Sequence, residues 1–573
     1  METNKCPKCG ADLIEGAVFC GECGANVSPA ETPAETPTEP ATETPVEPVT
    51  ETPVETTAET PAEPVAETPA EPAAETLAET AAETPAATGK NAFDFSKMKK
   101  YVIPAGGALG ALVVLIIILT VILSGGSNYT YIENDVLVYP DGHGTVVFVK
   151  DGKETKIDGY GRYIDYSLDR SAVAVIISEE EDYYSSDGSD TIYIFDGELT
   201  KVPGDIQSVS TVTISDSGKG LTYFKPNYDD DTTELYLWSN GKTERIATGE
   251  YFYHTAAISP DGKTVAYAET EDGETAGYYY TKGERIKIGK EIIPVAVSDN
   301  AKYIYYDRND SLYVQKGNNE DSRQKLSENV YSFFLNKDYS QIFFHNSNRA
   351  YISNKGGEKI TVADFISELI LPVNTAVKEK SSYKTVGVDT FAGTFFNEIG
   401  DTVMYITKKF EGQETAIDYY GYSVKLSTDE KTLIFENFDG LAKIDGTNPK
   451  AREKQIIKSD EISEVWINDN GSQIYFENYD DEILFSKNGS KPKYVGEFVD
   501  EAIVFKNKLY YISDGEFFVS GGKKASRITG FDDDEFYSLE TLGSYMLVET
   551  ELDGDYYTFY TTDGKKYTMA SME

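Results

Sequence analysis

The chain has 573 residues, with 97 Asp and Glu against 52 Lys and Arg and a formal charge of -45. That length exceeds one ordinary domain of roughly 100–200 residues, and so acidic a chain repels nucleic acid and anionic lipid alike. All four cysteines precede residue 24, which excludes a disulfide framework for everything that follows.

Residues 1–27 hold Cys6, Cys9, Cys20 and Cys23 as two Cys-x-x-Cys pairs, each followed by a glycine, Gly10 or Gly24. Each pair can turn two thiolates toward one tetrahedral metal, and the glycines permit the tight turn. Four sulfurs with no open position predict a structural Zn2+ site with no catalytic role. A redox dithiol is the competing reading, but no thioredoxin-like βαβ pattern surrounds the pairs. Only Leu13, Ile14, Val18 and Phe19 offer a core, so metal is expected to drive folding. Residues 5–27 resemble the small N-terminal zinc ribbons of bacterial membrane proteins, and that resemblance implies a docking or assembly module. With Lys5 and Lys8 as its only bases beside four acids, the module is expected to contact protein in preference to nucleic acid.

Residues 28–100 form a linker of Glu, Thr, Pro and Ala that ends in a basic flank, with a glutamate at every fourth position from 31 to 83. Prolines interrupt helical hydrogen bonding and nothing is available to bury, so the linker is expected to be disordered. As a flexible coil of about 60 residues it would reach at least ~45 Å.

Residues 101–124 contain an uncharged run from Val102 to Leu123, long enough for a transmembrane helix, since ~20 apolar residues span a hydrocarbon core of ~30 Å. Lys90, Lys97, Lys99 and Lys100 precede it, and Glu133 and Asp135 are the first charges after it. The positive-inside rule therefore places the N-terminus in the cytoplasm and the C-terminal domain outside the cell membrane. Gly106 and Gly110 make a small-xxx-small spacing of the kind that lets two helices approach.

Residues 128–573 carry 46 of the basic and 78 of the acidic residues. They read as short Tyr-rich strands between Asp, Gly, Asn and Ser turns, an all-β pattern. One grammar recurs: ISDSGKGLTYF from Ile214, ISPDGKTVAYA from Ile258, VSDNAKYIYYD from Val297, LNKDYSQIFFH from Leu335, LSTDEKTLIFE from Leu426 and INDNGSQIYFE from Ile467. Third strands and hairpins follow, as in LYLWSNGKTERI from Leu235, LYVQKGN from Leu312 and EILFSKNGSKPKYV from Glu482. A spacing of about 40 residues is that of propeller blades, which bury their faces only by stacking in a ring.

The Ser259–Lys263 turn followed by Thr-Val-Ala-Tyr resembles the WD-like repeats of Tol-system periplasmic propellers and of prolyl oligopeptidase propeller domains, over about residues 160–530. The fold expected is one β-propeller of seven or eight blades, closed by strands around Val136 to Val149 against the C-terminal strands, with two smaller propellers as the alternative. Residues 363–394 break the rhythm with a helix-like ADFISELI and read as an insertion or a degenerate blade.

A catalytic constellation is not legible. His143, His254 and His345 lie far apart in sequence without metal-ligand spacing, and there is no Gly-x-Ser-x-Gly elbow. The acidic groups Glu179–Asp182, Asp229–Asp231 and Asp532–Glu535 lack the spacing of a calcium loop, and Tyr183, Tyr184 and Tyr278–Tyr280 fit strand propensity. The function expected is non-enzymatic: an envelope protein whose propeller binds a protein, peptide or wall component outside, while the zinc ribbon docks a cytosolic protein. The alternatives are a glycan-active enzyme with converging carboxylates and a transmembrane sensor.

Overall fold

The computed structural model describes residues 128–572 apart from short internal segments, the longest being 180–188. The zinc ribbon, the linker and the apolar run lie outside the described residues. Among the described residues no helix is long and apolar enough to cross a membrane.

The described residues form eleven sheets. In chain order they begin at Leu137, Tyr160, Val212, Tyr251, Ile293, Phe333, Glu368, Val424, Glu464, Glu501 and Glu535, and we number them blades 1 to 11. Most are four-stranded antiparallel meanders; the first has three strands.

Strand alternation explains why they close on one another. In the strand Thr145–Lys150, Val146 and Phe148 pack against Val173, Val175 and Ile177 of blade 2. Val147 and Val149 point to the opposite face and pack against Tyr545 and Tyr560 of blade 11, as the two-residue period of a strand requires. Eleven such apolar clusters each join neighbouring blades, and the one between blades 11 and 1 shuts the ring. The seven or eight blades expected from the repeat are therefore corrected to eleven. Closure by the strands after Val136 holds: Asp135 Oδ1 accepts from the Ser544 backbone N–H and hydroxyl at 3.0 and 2.7 Å.

The recurring turn is a clip between a blade's first two strands. The side-chain oxygen of its Ser or Asn accepts the backbone N–H five residues on: Ser215 from Gly220, Ser259 from Thr264, Ser298 from Tyr303, Asn336 from Gln341, Ser427 from Thr432 and Asn468 from Gln473. Ser167 and Ala172 add a seventh case in blade 2. Turns also touch the next blade, as where the Ser217 N–H reaches the Pro260 carbonyl at 3.0 Å and the Thr428 N–H reaches that of Asp469 at 2.6 Å.

Residues 363–394 hold an insertion. Where a helix was expected, the described residues Glu368–Ile370 are a strand that starts blade 7, because Leu369 and Ile370 pair with Phe396 and Phe395. The hairpin Val377–Glu379 and Tyr383–Val386 then leaves blade 7 and joins blade 6, with Tyr383–Val386 running parallel to Phe333–Asn336. The segment 128–132 lies along it through Tyr129↔Val388 and Tyr131↔Thr375 bridges. From this inner partition, contacts run to blade 8 through Tyr131 and Thr428 at 2.6 Å and to blades 2 and 3 through Lys378.

Candidate functional site

Leading strands of blades 2 to 5 converge on the inner hairpin. Tyr160–Tyr166, Val212–Ile214, Ala257–Ile258 and Ile293–Val297 surround a cavity of about 270 Å³ lined by Tyr163, Asp165, Thr213, Val295 and the hairpin residues Glu379–Tyr383. A second cavity of about 260 Å³ shares Val295 and Ser382 with it and continues between blades 5 and 6, past Leu312, Val330 and Phe333 to Asp307 and Asp310.

Two buried ion pairs anchor the hairpin. The Lys378 ammonium lies 3.0 Å from Asp165 Oδ1 and donates to the Ile214 carbonyl at 2.9 Å, while Asp165 Oδ2 also accepts the Ile214 N–H at 2.8 Å. Lys380 stands 3.7 Å from Asp216 Oδ1, and Asp216 Oδ2 accepts the Tyr339 hydroxyl at 2.7 Å. Burial, together with the like charge of Lys380, brings Lys378 down to about 8 against the pull of Asp165 and Asp216. Burial opposes the charge of Lys380 too, but Asp216, Tyr383 and Asp165 outweigh it and hold that ammonium above the ordinary lysine range. Burial also raises Tyr339 and Tyr383, keeping both as neutral phenols.

The carboxylates of the first cavity are thus engaged: Asp165 with Lys378, Glu379 with Lys384. Besides these, Lys380, itself paired with Asp216, and the hydroxyl residues Tyr163, Thr213, Ser381, Ser382 and Tyr383 line it. Ser381 and Ser382, at the hairpin tip, make no side-chain hydrogen bond among the described residues, and they suit recognition of a polar backbone.

Of the residues singled out from sequence, His345 is the half-buried end of the otherwise buried strand Gln341–His345 of blade 6; His143 and His254 lie outside the described residues. Glu179 is exposed, Asp230 accepts from Asn227 at 3.2 Å, and Asp182, Asp229 and Asp532 are outside the described residues. Tyr279 and Tyr280 are buried, and Tyr278 lies under the Arg285 guanidinium at 4.0 Å, so these rings are framework. Among the described residues no group of three or more His, Cys, Asp or Glu could hold a metal ion.

The cavity's own residues were missed. Their signal is Lys-Glu-Lys-Ser-Ser-Tyr-Lys from Lys378 to Lys384, a polar tract inside the one segment that broke the repeat.

Cys6, Cys9, Cys20 and Cys23 lie outside the described residues, and as a donor set four soft thiolates fit a closed zinc site. A zinc-ribbon domain matches residues 5–27. No curated protein matches the chain. Among solved structures, TolB from Acinetobacter baumannii is 14% identical, covering 48% of this chain and 71% of that one, with a TM-score of 0.27. The tricorn protease is 13% identical over 76% of this chain and 58% of that one, with a TM-score of 0.25. The β-propeller domain of the Trilobed protease from Pyrococcus furiosus is 10% identical over 65% of this chain and 97% of that one, also with a TM-score of 0.25. At these scores no activity or partner is carried over, and the propeller rests on the blade packing above.

Proposed function

We propose that this chain is a non-enzymatic recognition protein of the cell envelope, held by a single membrane helix over residues 101–124 with its N-terminus in the cytoplasm. The propeller of residues 128–573 binds a protein, peptide or wall component outside. The zinc ribbon of residues 1–27, folded around Zn2+ on Cys6, Cys9, Cys20 and Cys23, docks a cytosolic protein at the end of the 28–100 linker. The observation that carries the outer half of this reading is the hairpin. It lines a cavity with hydroxyls and apolar side chains while the charged groups there, Asp165, Glu379 and Lys380, are held in ion pairs, which favours binding over acid–base chemistry.

The test is crosslinking of the tagged full-length protein in cells, with mass spectrometry of partners from each side of the membrane. Ser382→Trp, which fills the cavity, is expected to remove an outer partner and leave a cytosolic one. Recovery of no outer partner above a chain lacking residues 128–573 would refute the binding role.

A further inference from the structure

The second cavity has a feature that the first lacks. Asp307 ends the strand Ile304–Asp307 and Asp310 sits in the next turn at φ 56°, so two carboxylates stand at one rim. Neither forms an ion pair among the described residues, and the arginine between them turns away, Arg308 lying 3.7 Å from Glu291. Burial, then the neighbouring Asp310 charge, raises Asp307 against a hydrogen bond from the Asp310 backbone N–H.

Behind this rim the wall is apolar: Leu312 and Phe333 are buried, and Val295 and Val330 complete it. Ser382 and Val295 are common to both cavities, so the acidic apolar pocket leads into the hydroxyl-lined one. An acidic rim without an ion pair among the described residues, an apolar wall and a run of hydroxyls complement, in order, what a peptide start presents: ammonium, first side chain, backbone.

Building on the recognition reading above, we propose that the two cavities form one groove for a peptide amino terminus. The ammonium sits between Asp307 and Asp310, an apolar first side chain lies on Leu312, Val330 and Phe333, and the following backbone crosses Ser382 toward Ser381 and Thr213. Charge-assisted hydrogen bonds from the ammonium supply the specificity, and loss of such a pairing is expected to weaken binding at least tenfold.

The experiment measures fluorescence anisotropy on the purified full-length protein. The probes are tetrapeptide pools labelled at the C-terminus, with Leu, Ile, Val or Phe first, in three forms: free amine, N-acetylated, and N-acetylated with an internal lysine. The free-amine pool is expected to bind, acetylation to weaken it at least tenfold, and the lysine to restore nothing. Asp310→Asn, which keeps a residue tolerant of the left-handed turn, and Asp307→Asn are expected each to lose affinity for the free amine, with unchanged melting temperature as the check on folding. Equal binding of free and acetylated pools, binding of none, or full recovery by the internal lysine would each overturn the proposal. A crosslinked outer partner that is lost in Ser382→Trp but kept in both aspartate variants would sink this proposal alone; absence of any outer partner would sink the recognition reading with it.

Discussion

Blades 3 and 4 and blade 10 reach the same architecture by different means. Blades 3 and 4 each carry the Ser clip, at Ser215 and Ser259, and their glycines meet so closely that a Cβ on Gly220 would overlap the Gly262 carbonyl. Blade 10 has no such turn: Glu501–Phe505 passes to Lys508–Ser513 through Lys506 and Asn507 alone, both at positive φ. Yet its Leu509 and Tyr511 pack toward blade 9, and Tyr510 and Ile512 toward blade 11, as in any other blade. The clip is therefore a local device, and the alternation of apolar side chains is what makes a blade.

The strongest way to break this comparison is at the second turn position, directly after the clip residue. In blade 3 it is Asp216, buried against Lys380 and Tyr339; in blade 9 it is Asp469, exposed, with a 3.4 Å contact to Asn374. Asp216→Ala strands a buried ammonium and is expected to cost about 3–5 kcal/mol, whereas Asp469→Ala should stay within about 0.5 kcal/mol. Chemical denaturation of the two variants reads the difference; equal effects would show that the hairpin is not anchored by this pair.

Close behind is the glycine contact. Gly220→Ala must push blades 3 and 4 apart and is expected to cost roughly 1–3 kcal/mol, as overpacking does. Gly521 of blade 10 faces open space, so Gly521→Ala should change stability by no more than about 0.5 kcal/mol. A melting-temperature difference between the two variants is the measurement.

These contrasts also explain what was legible in the sequence. All-β architecture and ring stacking followed from alternation and turn residues, and closure through the strands after Val136 was expected. Blade number was not, because the repeat was recognised by its turn, and only seven described turns use the Ser or Asn clip. Among the described residues, blades 10 and 11 join their first strands without the clip and carry only the strand alternation. The helix-like spacing of Leu369 and Ile370 was overridden by pairing with Phe396 and Phe395, a tertiary choice that local propensity does not encode. The cavity was hidden for a related reason: Lys378 meets Asp165 across 213 residues, a juxtaposition that only the strand topology creates.

The hairpin anchor should also show in pH dependence. Folding lowers Lys378 to about 8 from an unfolded value of about 10.4, so between these the unfolded chain binds more protons and stability rises with pH. The wild type is expected to gain about 1–3 kcal/mol from pH 7.5 to 10 relative to Lys378→Met, which has no group to deprotonate. Denaturation midpoints of both proteins over that range test it. Parallel profiles would mean that Lys378 keeps its proton throughout.

The smallest effect concerns the clip itself. Ser259 is fully buried; its Oγ accepts the Thr264 N–H at 3.0 Å and donates to Asp261 at 2.8 Å. Ser259→Ala removes these bonds, together with the one its Oγ accepts from the Lys263 N–H at 3.3 Å, and leaves the Thr264 N–H without its side-chain acceptor, an expected cost of about 1–2 kcal/mol. Because the Ser259 N–H still reaches the Thr264 carbonyl at 2.8 Å, the strand pair should survive, and hydrogen exchange is expected to quicken only around Thr264. Exchange that quickens through the whole of blade 4 would instead make the clip a condition for the blade, and blade 10, which has none, would then need another explanation.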